Sequence, residues 1–366
     1  MNLTTILLLV CGFVLLVFGA EFLVKGASRL AIILRIPPLI IGLTIVAYGT
    51  SAPEMAVSII ASFAGQSDIA IGNALGSNIC NILLILGLSA LVAPLIVNRQ
   101  VIRSDVPIMI GVTVLLLLFG LDGELGRMDG IILFIGALLY TFSLIYQSRK
   151  QKDLEADEFT REYGLPSDNS IFTWLKNLAY IIGGSALLVF GSRLLVDSAT
   201  SIARDFGVSE LVIGLTIISF GTSLPELATS VMASFRGERD IAVGNVLGSN
   251  IFNILAVLGV AGIVAPNGIE VAETVIEVNA PVAIAVSFAC LPIFYSGYRL
   301  DRWEGLLFIL YYLAYIGYLV MDATNYEGLP VYRIVMLAFV IPITVITLVT
   351  IAIRQKQSSR RRKRTR

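Results

Sequence analysis

The sequence predicts an all-α polytopic membrane protein: two inverted five-helix repeats plus an extra C-terminal helix. Three observations carry the prediction. The first is composition. Of 366 residues, 57% are hydrophobic and 14% are charged, whereas soluble domains carry about a quarter charged residues; the mean hydropathy is +0.87. The second is a series of apolar runs near the ~20 residues that cross a hydrocarbon core. The third is an internal duplication. Gly42 to Gly87, GLTIVAYGTSAPEMAVSIIASFAGQSDIAIGNALGSNICNILLILG, aligns without a gap with Gly214 to Gly259, GLTIISFGTSLPELATSVMASFRGERDIAVGNVLGSNIFNILAVLG. The offset is a constant 172 residues and roughly two-thirds of the positions are identical. A repeat this long marks duplicated architecture. Only helices or closed barrels satisfy every backbone group in lipid, and the alternating strand pattern of a barrel is absent, which leaves helices.

Apolar runs place the helices at about 3–31, 39–64, 70–94, 105–121 and 128–147 in the first half. The second half follows at about 172–200, 211–236, 242–264, 275–295 and 303–321, and an unpaired helix at about 331–353. The N-terminal run MNLTTILLLVCGFVLLVFGA lacks the basic start of a signal peptide and recurs internally near Phe190, so it reads as a retained first helix. The chain therefore divides into a first repeat at 1–148, a cytoplasmic linker at 149–171, a second repeat at 172–322, the extra helix at 330–353 and a basic tail at 354–366.

Five helices is an odd number, so two homologous halves must sit upside down relative to each other. That is the inverted-repeat plan of secondary transporters, with the site at the repeat interface near midplane. Lys/Arg counting gives the orientation. With the N-terminus outside and the C-terminus cytoplasmic, the inner loops hold Lys25, Arg29, Arg35, Arg99, Arg103, the linker over 149–169, Arg236, Arg239, Arg299, Arg302 and the tail. The outer loops hold Asp68, Asp122, Glu124, Asp129, Glu270, Glu273, Glu277, Asp322 and Glu327; Arg193 and Arg204 are the main basic residues left outside, with Asp197 and Asp205 beside them. The expected location is the plasma membrane. The tail from Arg354 carries eight basic residues and no acid; it reads as a positive-inside anchor against anionic lipid rather than a nucleic-acid contact.

Composition also excludes chemistry. There is no histidine, so histidine catalysis, histidine proton relays and typical zinc sites are ruled out. Cys11, Cys80 and Cys290 all lie in apolar segments and suggest no disulfide framework. Neither an enzymatic activity nor a cofactor nor an obligate protein partner is expected. An intramembrane hydrolase using two glutamates lacks a metal cage or nucleophile dyad.

Each repeat contains G-T-S-x-P-E, Gly49 to Glu54 and Gly221 to Glu226. A carboxylate in the middle of an apolar helix is costly and needs a partner or a cation. The central parts of both helices lack Lys and Arg and supply hydroxyls and amides instead. Pro53 and Pro225 remove a helical hydrogen bond from the carbonyls of Gly49 and Gly221, and freed carbonyls of broken helices can ligate ions. The second shared motif is G-N-x-L-G-S-N-I-x-N, Gly72 to Asn81 and Gly244 to Asn253. Ser77 with Asn81, and Ser249 with Asn253, lie four apart on one helix face. Asn73, Asn78, Asn245 and Asn250 are open to either a ligand role or interhelical hydrogen bonding, and Gly76 and Gly248 permit close helix approach. The resulting oxygen-only site, with two negative charges if both glutamates ionise, suits Ca²⁺ or Na⁺ and not Zn²⁺ or Cu.

These paired motifs resemble the alpha-repeats of the calcium/cation antiporter superfamily, specifically prokaryotic sodium/calcium exchangers. The resemblance covers both halves. It implies that Glu54 and Glu226 ligate Ca²⁺ together with the carbonyls of Thr50 and Thr222. It further implies Na⁺ sites built from the same glutamates, Ser51, Ser223, Ser77 and Ser249, and the carbonyls of Ala47 and Ser219, with Asn81 and Asn253 completing the centre. Potassium-dependent relatives carry aspartate at the position of Asn253, so this chain resembles the potassium-independent type. The family's exchange of three Na⁺ for one Ca²⁺ implies electrogenic Ca²⁺ extrusion. A Ca²⁺/H⁺ antiporter of the same superfamily is the alternative, because buried glutamates can carry protons.

Overall fold

A computed structural model of the chain describes residues 3–154, 170–208, 210–295 and 297–345. Helix α1 spans Leu3–Leu34, α2 Pro38–Thr50, α3 Ala52–Phe63, α4 Ser67–Val92 and α5 Val101–Asp122, and α6 Arg127–Leu154. In the second half α7 spans Ile171–Asp205, α8 residues 210–221, and α9 Leu224–Arg236. Then come α10 Arg239–Val264, α11 Val275–Tyr295 and α12 Arg302–Ala323, followed by the shorter α13 Leu329–Val345. Among the described residues, eight of these helices are long and apolar enough to cross a membrane, and the bent pair α2–α3 makes a ninth span.

The segments expected as single helices at 39–64 and 211–236 are each two helices. The two pieces of the first meet at 47°. The reason is local. Proline has no N–H, so Pro53 cannot donate to the carbonyl of Gly49, nor Pro225 to that of Gly221. The chain leaves the helix at Ser51 and Ser223 and restarts with the proline in the first turn of α3 and α9, where a donor is not required.

Packing gives the inversion directly. Helices α1 and α7 are counterparts in the duplication, and they touch backbone to backbone along their length. A Cβ on Gly12 would lie 2.8 Å from Leu195 N, one on Gly19 2.9 Å from Leu188 N, and one on Gly26 2.9 Å from Asn177 O. Partner numbers fall as α1 numbers rise, so the two counterparts run antiparallel. Four two-residue strands repeat the pattern. Strand β1 (Leu95–Ile96) pairs with β4 (Arg299–Leu300), and β2 (Glu124–Leu125) with β3 (Ile269–Glu270). The duplication exchanges one pair for the other, and α5, preceded by β1 and followed by β2, separates them to opposite ends of the bundle.

The repeat motifs lie on the innermost helices. The apolar stretches of α4 and α10 are 72% and 89% buried, against 28% for α1 and α7. Helix α13 lies outside, on α12, through Tyr332 Oη donating to Ala314 O at 2.7 Å and Tyr311 Oη to Thr344 Oγ1 at 2.6 Å. The rest of the predicted C-terminal helix, most of the 149–171 linker and the tail lie outside the described residues.

Candidate functional site

Breaking α2–α3 and α8–α9 puts each repeat glutamate in the first turn of a half-helix, where backbone amides and the helix dipole favour a carboxylate. Glu54 and Glu226 are fully buried. Each receives a hydroxyl from the opposite repeat: Ser51 Oγ donates to Glu226 Oε1 at 3.0 Å and Ser223 Oγ lies 3.4 Å from Glu54 Oε1. Ser77 Oγ is 3.0 Å from Ser223 Oγ, and Ser249 Oγ is 3.5 Å from Glu226 Oε1.

A second layer crosses the same pseudo-two-fold. Thr50 Oγ1 donates to Asn245 Oδ1 at 3.0 Å, and Thr222 Oγ1 to Asn73 Oδ1 at 3.1 Å. Asn73 Nδ2 donates to the peptide oxygen of Glu54 at 3.1 Å and to Ser58 Oγ at 3.0 Å. Asn245 Nδ2 does the same with Glu226 O at 3.4 Å and Ser230 Oγ at 2.9 Å. Asn78 and Asn250 exchange side-chain-to-carbonyl bonds of 3.0 and 3.2 Å. Asn81 Nδ2 donates to Asn250 Oδ1 at 2.9 Å, and Asn253 Nδ2 to Asn78 Oδ1 at 3.0 Å.

One feature stands apart from this satisfied lattice. Glu54 Oε2, Glu226 Oε2, Asn81 Oδ1 and Asn253 Oδ1 are buried with no hydrogen-bond donor. All four are acceptors, and they form two symmetry pairs. Buried polar atoms are nearly always paired. Four orphan acceptors with no buried cationic side chain among them are chemically complementary to a cation. Among the described residues no three His, Cys, Asp or Glu side chains cluster, so the donor set is two carboxylates amid neutral oxygens. That is hard-cation chemistry.

Residues 4–147 and 176–321 match the family model described as sodium/calcium exchanger protein. The chain belongs to that family. It is 34% identical over 340 residues to the sodium/calcium exchanger MaX1 of Methanosarcina acetivorans, covering 85% of this chain and 97% of that one. It is 44% identical over 291 residues to the inner membrane protein YrbG of Escherichia coli, covering 78% and 87%. Among solved structures it is similar to the sodium-calcium exchanger NCX_Mj soaked with zero Na⁺ and Ca²⁺, with a TM-score of 0.74 and 30% identity over 87% of this chain and 99% of that one.

The exchanger-family fold brings together most of the residues singled out from sequence. Glu54, Ser223 and Ser77 form one hydrogen-bonded cluster, and Glu226, Ser51 and Ser249 form its mirror image. Thr222 and Thr50 join these through Asn73 and Asn245, while Asn81 and Asn253 bond Asn250 and Asn78 in a cluster of their own. The Ala47 carbonyl accepts from Ser51 N at 2.9 Å and lies 3.3 Å from Thr50 Oγ1. Ser219 opens the last helical turn of α8, and the amide of Ser223 bonds to Phe220 O at 3.1 Å, three residues back. Asn73, Asn78, Asn245 and Asn250 are resolved as interhelical bonds, not as orphan acceptors. Gly248 is in close approach as expected; at Gly76 the space is open, and a Cβ there would meet none of the described residues within 4 Å.

Sequence reasoning missed a pair farther out. Asp105, fully buried, accepts from Tyr140 Oη at 3.2 Å, and its counterpart Asn279 lies 3.5 Å from Tyr315 Oη. These pairs brace α5 on α6 and α11 on α12. The available signal was an aspartate just inside an apolar run, which reads equally well as a helix end.

Proposed function

We propose that this family member is a secondary active antiporter that exchanges Na⁺ for Ca²⁺ by alternating access. Glu54 and Glu226 are its central ligands. Ser51, Ser77, Ser223, Ser249, Asn81, Asn253 and the carbonyls of Ala47, Thr50, Ser219 and Thr222 complete overlapping ion positions. The observation that carries this reading is the set of four buried, donorless acceptor oxygens at symmetry-related positions. The network has two carboxylates in a low-dielectric setting and no cationic partner. An empty site with two negative charges is costly to carry through the barrier. One Ca²⁺, or a full Na⁺ load shared by the same ligands, removes that cost, so the protein moves loaded and exchange is obligate.

The test is radioactive Ca²⁺ uptake into proteoliposomes loaded with Na⁺ and diluted into Na⁺-free buffer, with K⁺-loaded and acid-interior vesicles as controls. Uptake that requires internal Na⁺ is expected. Uptake driven by a pH gradient without Na⁺ moves the protein to the Ca²⁺/H⁺ branch. Uptake independent of any counter-ion overturns exchange altogether.

A further inference from the structure

The two halves share a sequence but not a packing. In α10, Gly244 and Gly248 form a seat for α2: a Cβ on Gly244 would lie 2.6 Å from Leu39 O, and one on Gly248 2.7 Å from Leu43 O. Gly42, on α2, is equally tight, 2.9 Å from Ile241 O. The duplication maps these three onto Gly72, Gly76 and Gly214. Among the described residues a Cβ on Gly72 or Gly76 would meet nothing within 4 Å, and both glycines are half-buried where Gly244 and Gly248 are buried. So α2 is closed onto α10, while α8 stands off α4.

The rest of the molecule follows the same asymmetry. Helix α1 packs along α9, and α7 makes no comparable packing with α3. On the closed side Ser28 Oγ donates to Glu238, and Arg236 Nε donates to Glu21 Oε2 at 2.9 Å. On the open side Thr200, the counterpart of Ser28, has a buried hydroxyl with no partner. Within the site, Asn245 and Pro225 are buried, and Asn73 and Pro53 are half-buried.

We infer that Gly72 and Gly76 form the seat on which α8 closes in a second conformation, the mirror of the one observed, and that none of the described residues requires glycine at either position in the present conformation. Exchanging the packing of the two halves brings the carbonyls of residues 211 and 215 against Gly72 and Gly76, as those of Leu39 and Leu43 lie against Gly244 and Gly248. A methyl at Gly76 is therefore harmless in one state and collides with backbone in the other. Backbone cannot swing aside as a side chain can, so the substitution holds the chain in the observed state. This inference rests on the alternating-access reading.

The experiment uses the full chain with Cys11→Ser, Cys11 being the exposed thiol. Spin labels go on Ile69 of α4 and on Val208 ahead of α8, both exposed. Distances are measured in proteoliposomes with Na⁺ or with Ca²⁺. In the parent a long and a short distance are expected, and the Gly76→Ala variant should lose the short one, its population falling about 5- to 150-fold. Ca²⁺ binding by Gly76→Ala should persist while exchange falls by the same factor. The reciprocal Gly248→Ala should shift the population toward the short distance. A Gly76→Ala variant that keeps the short distance, or exchanges at the parent rate, overturns the seat. A parent with one distance under all ions overturns alternating access itself, and the seat with it.

Discussion

Glu54 and Glu226 each use one carboxylate oxygen within the hydroxyl network and keep the other without a donor. An amide at either position places an N–H₂ among acceptors and removes a charge on which the proposed exchange depends. Glu54→Gln and Glu226→Gln should each reduce Na⁺-dependent Ca²⁺ uptake to the level of empty liposomes, with helicity by circular dichroism unchanged. Normal uptake in either variant contradicts the site. Asn253 makes a second prediction at this scale. Its Nδ2 donates to Asn78 Oδ1 at 3.0 Å, and Asn78 cannot turn its amide without giving up the 3.0 Å bond to Asn250 O. Asn253→Asp replaces the donor with an acceptor, which costs about 1–3 kcal/mol for a buried unsatisfied group. Thermal unfolding without divalent ions should occur at lower temperature than in the parent, and added Ca²⁺ should narrow the difference. The paired glutamates and motif serines were legible in the sequence because each occurs twice. Asp105 was not, because its duplicate is Asn279 and the pattern breaks.

At the scale of elements, the half-helix breaks and the glycine crossings do the positioning. Pro53 and Pro225 announced the breaks, but which side of the proline the helix leaves is a matter of where the missing N–H is tolerated. The chain puts each proline in a first turn, which sets Glu54 and Glu226 at helix starts. The α1–α7 contact depends on Gly12, Gly19, Gly184 and Gly191. A Cβ on Gly19 would lie 2.9 Å from both Gly184 O and Leu188 N. Gly19→Val should force these helices apart and destabilise the protein by about 1–3 kcal/mol, read as a lower midpoint of thermal unfolding in detergent. An unchanged midpoint would mean that the two helices separate at no cost.

At the scale of the whole molecule, the proposed exchange, if it follows three Na⁺ for one Ca²⁺, moves one net charge per cycle, worth about 2.3 kcal/mol per 100 mV. In proteoliposomes of uniform orientation, a K⁺ diffusion potential negative on the cytoplasmic face should accelerate Ca²⁺ movement away from that face, and the opposite potential should slow it. A rate indifferent to voltage points instead to electroneutral exchange, such as one Ca²⁺ against two protons. This property belongs to no single residue. In the proposed mechanism it follows from the ratio of charges that one shared site holds in its two loaded states.

Sequence alone determined the duplication, the odd helix count that requires inversion, and the oxygen chemistry of the site. Those depend on residue type and order, which lipid and backbone hydrogen bonding translate into helices with few alternatives. It could not determine which acceptors stay unpaired: Asn73 and Asn81 are the same residue type in the same motif, yet the amide of Asn73 is occupied at both ends, while Asn81 leaves its oxygen without a donor. Nor could it determine which half is closed. Gly72 and Gly244 stand in near-identical sequence, and one is open while the other is packed against backbone. Nothing in two nearly equal halves tells from sequence which one packs closed; that is decided only by the tertiary structure.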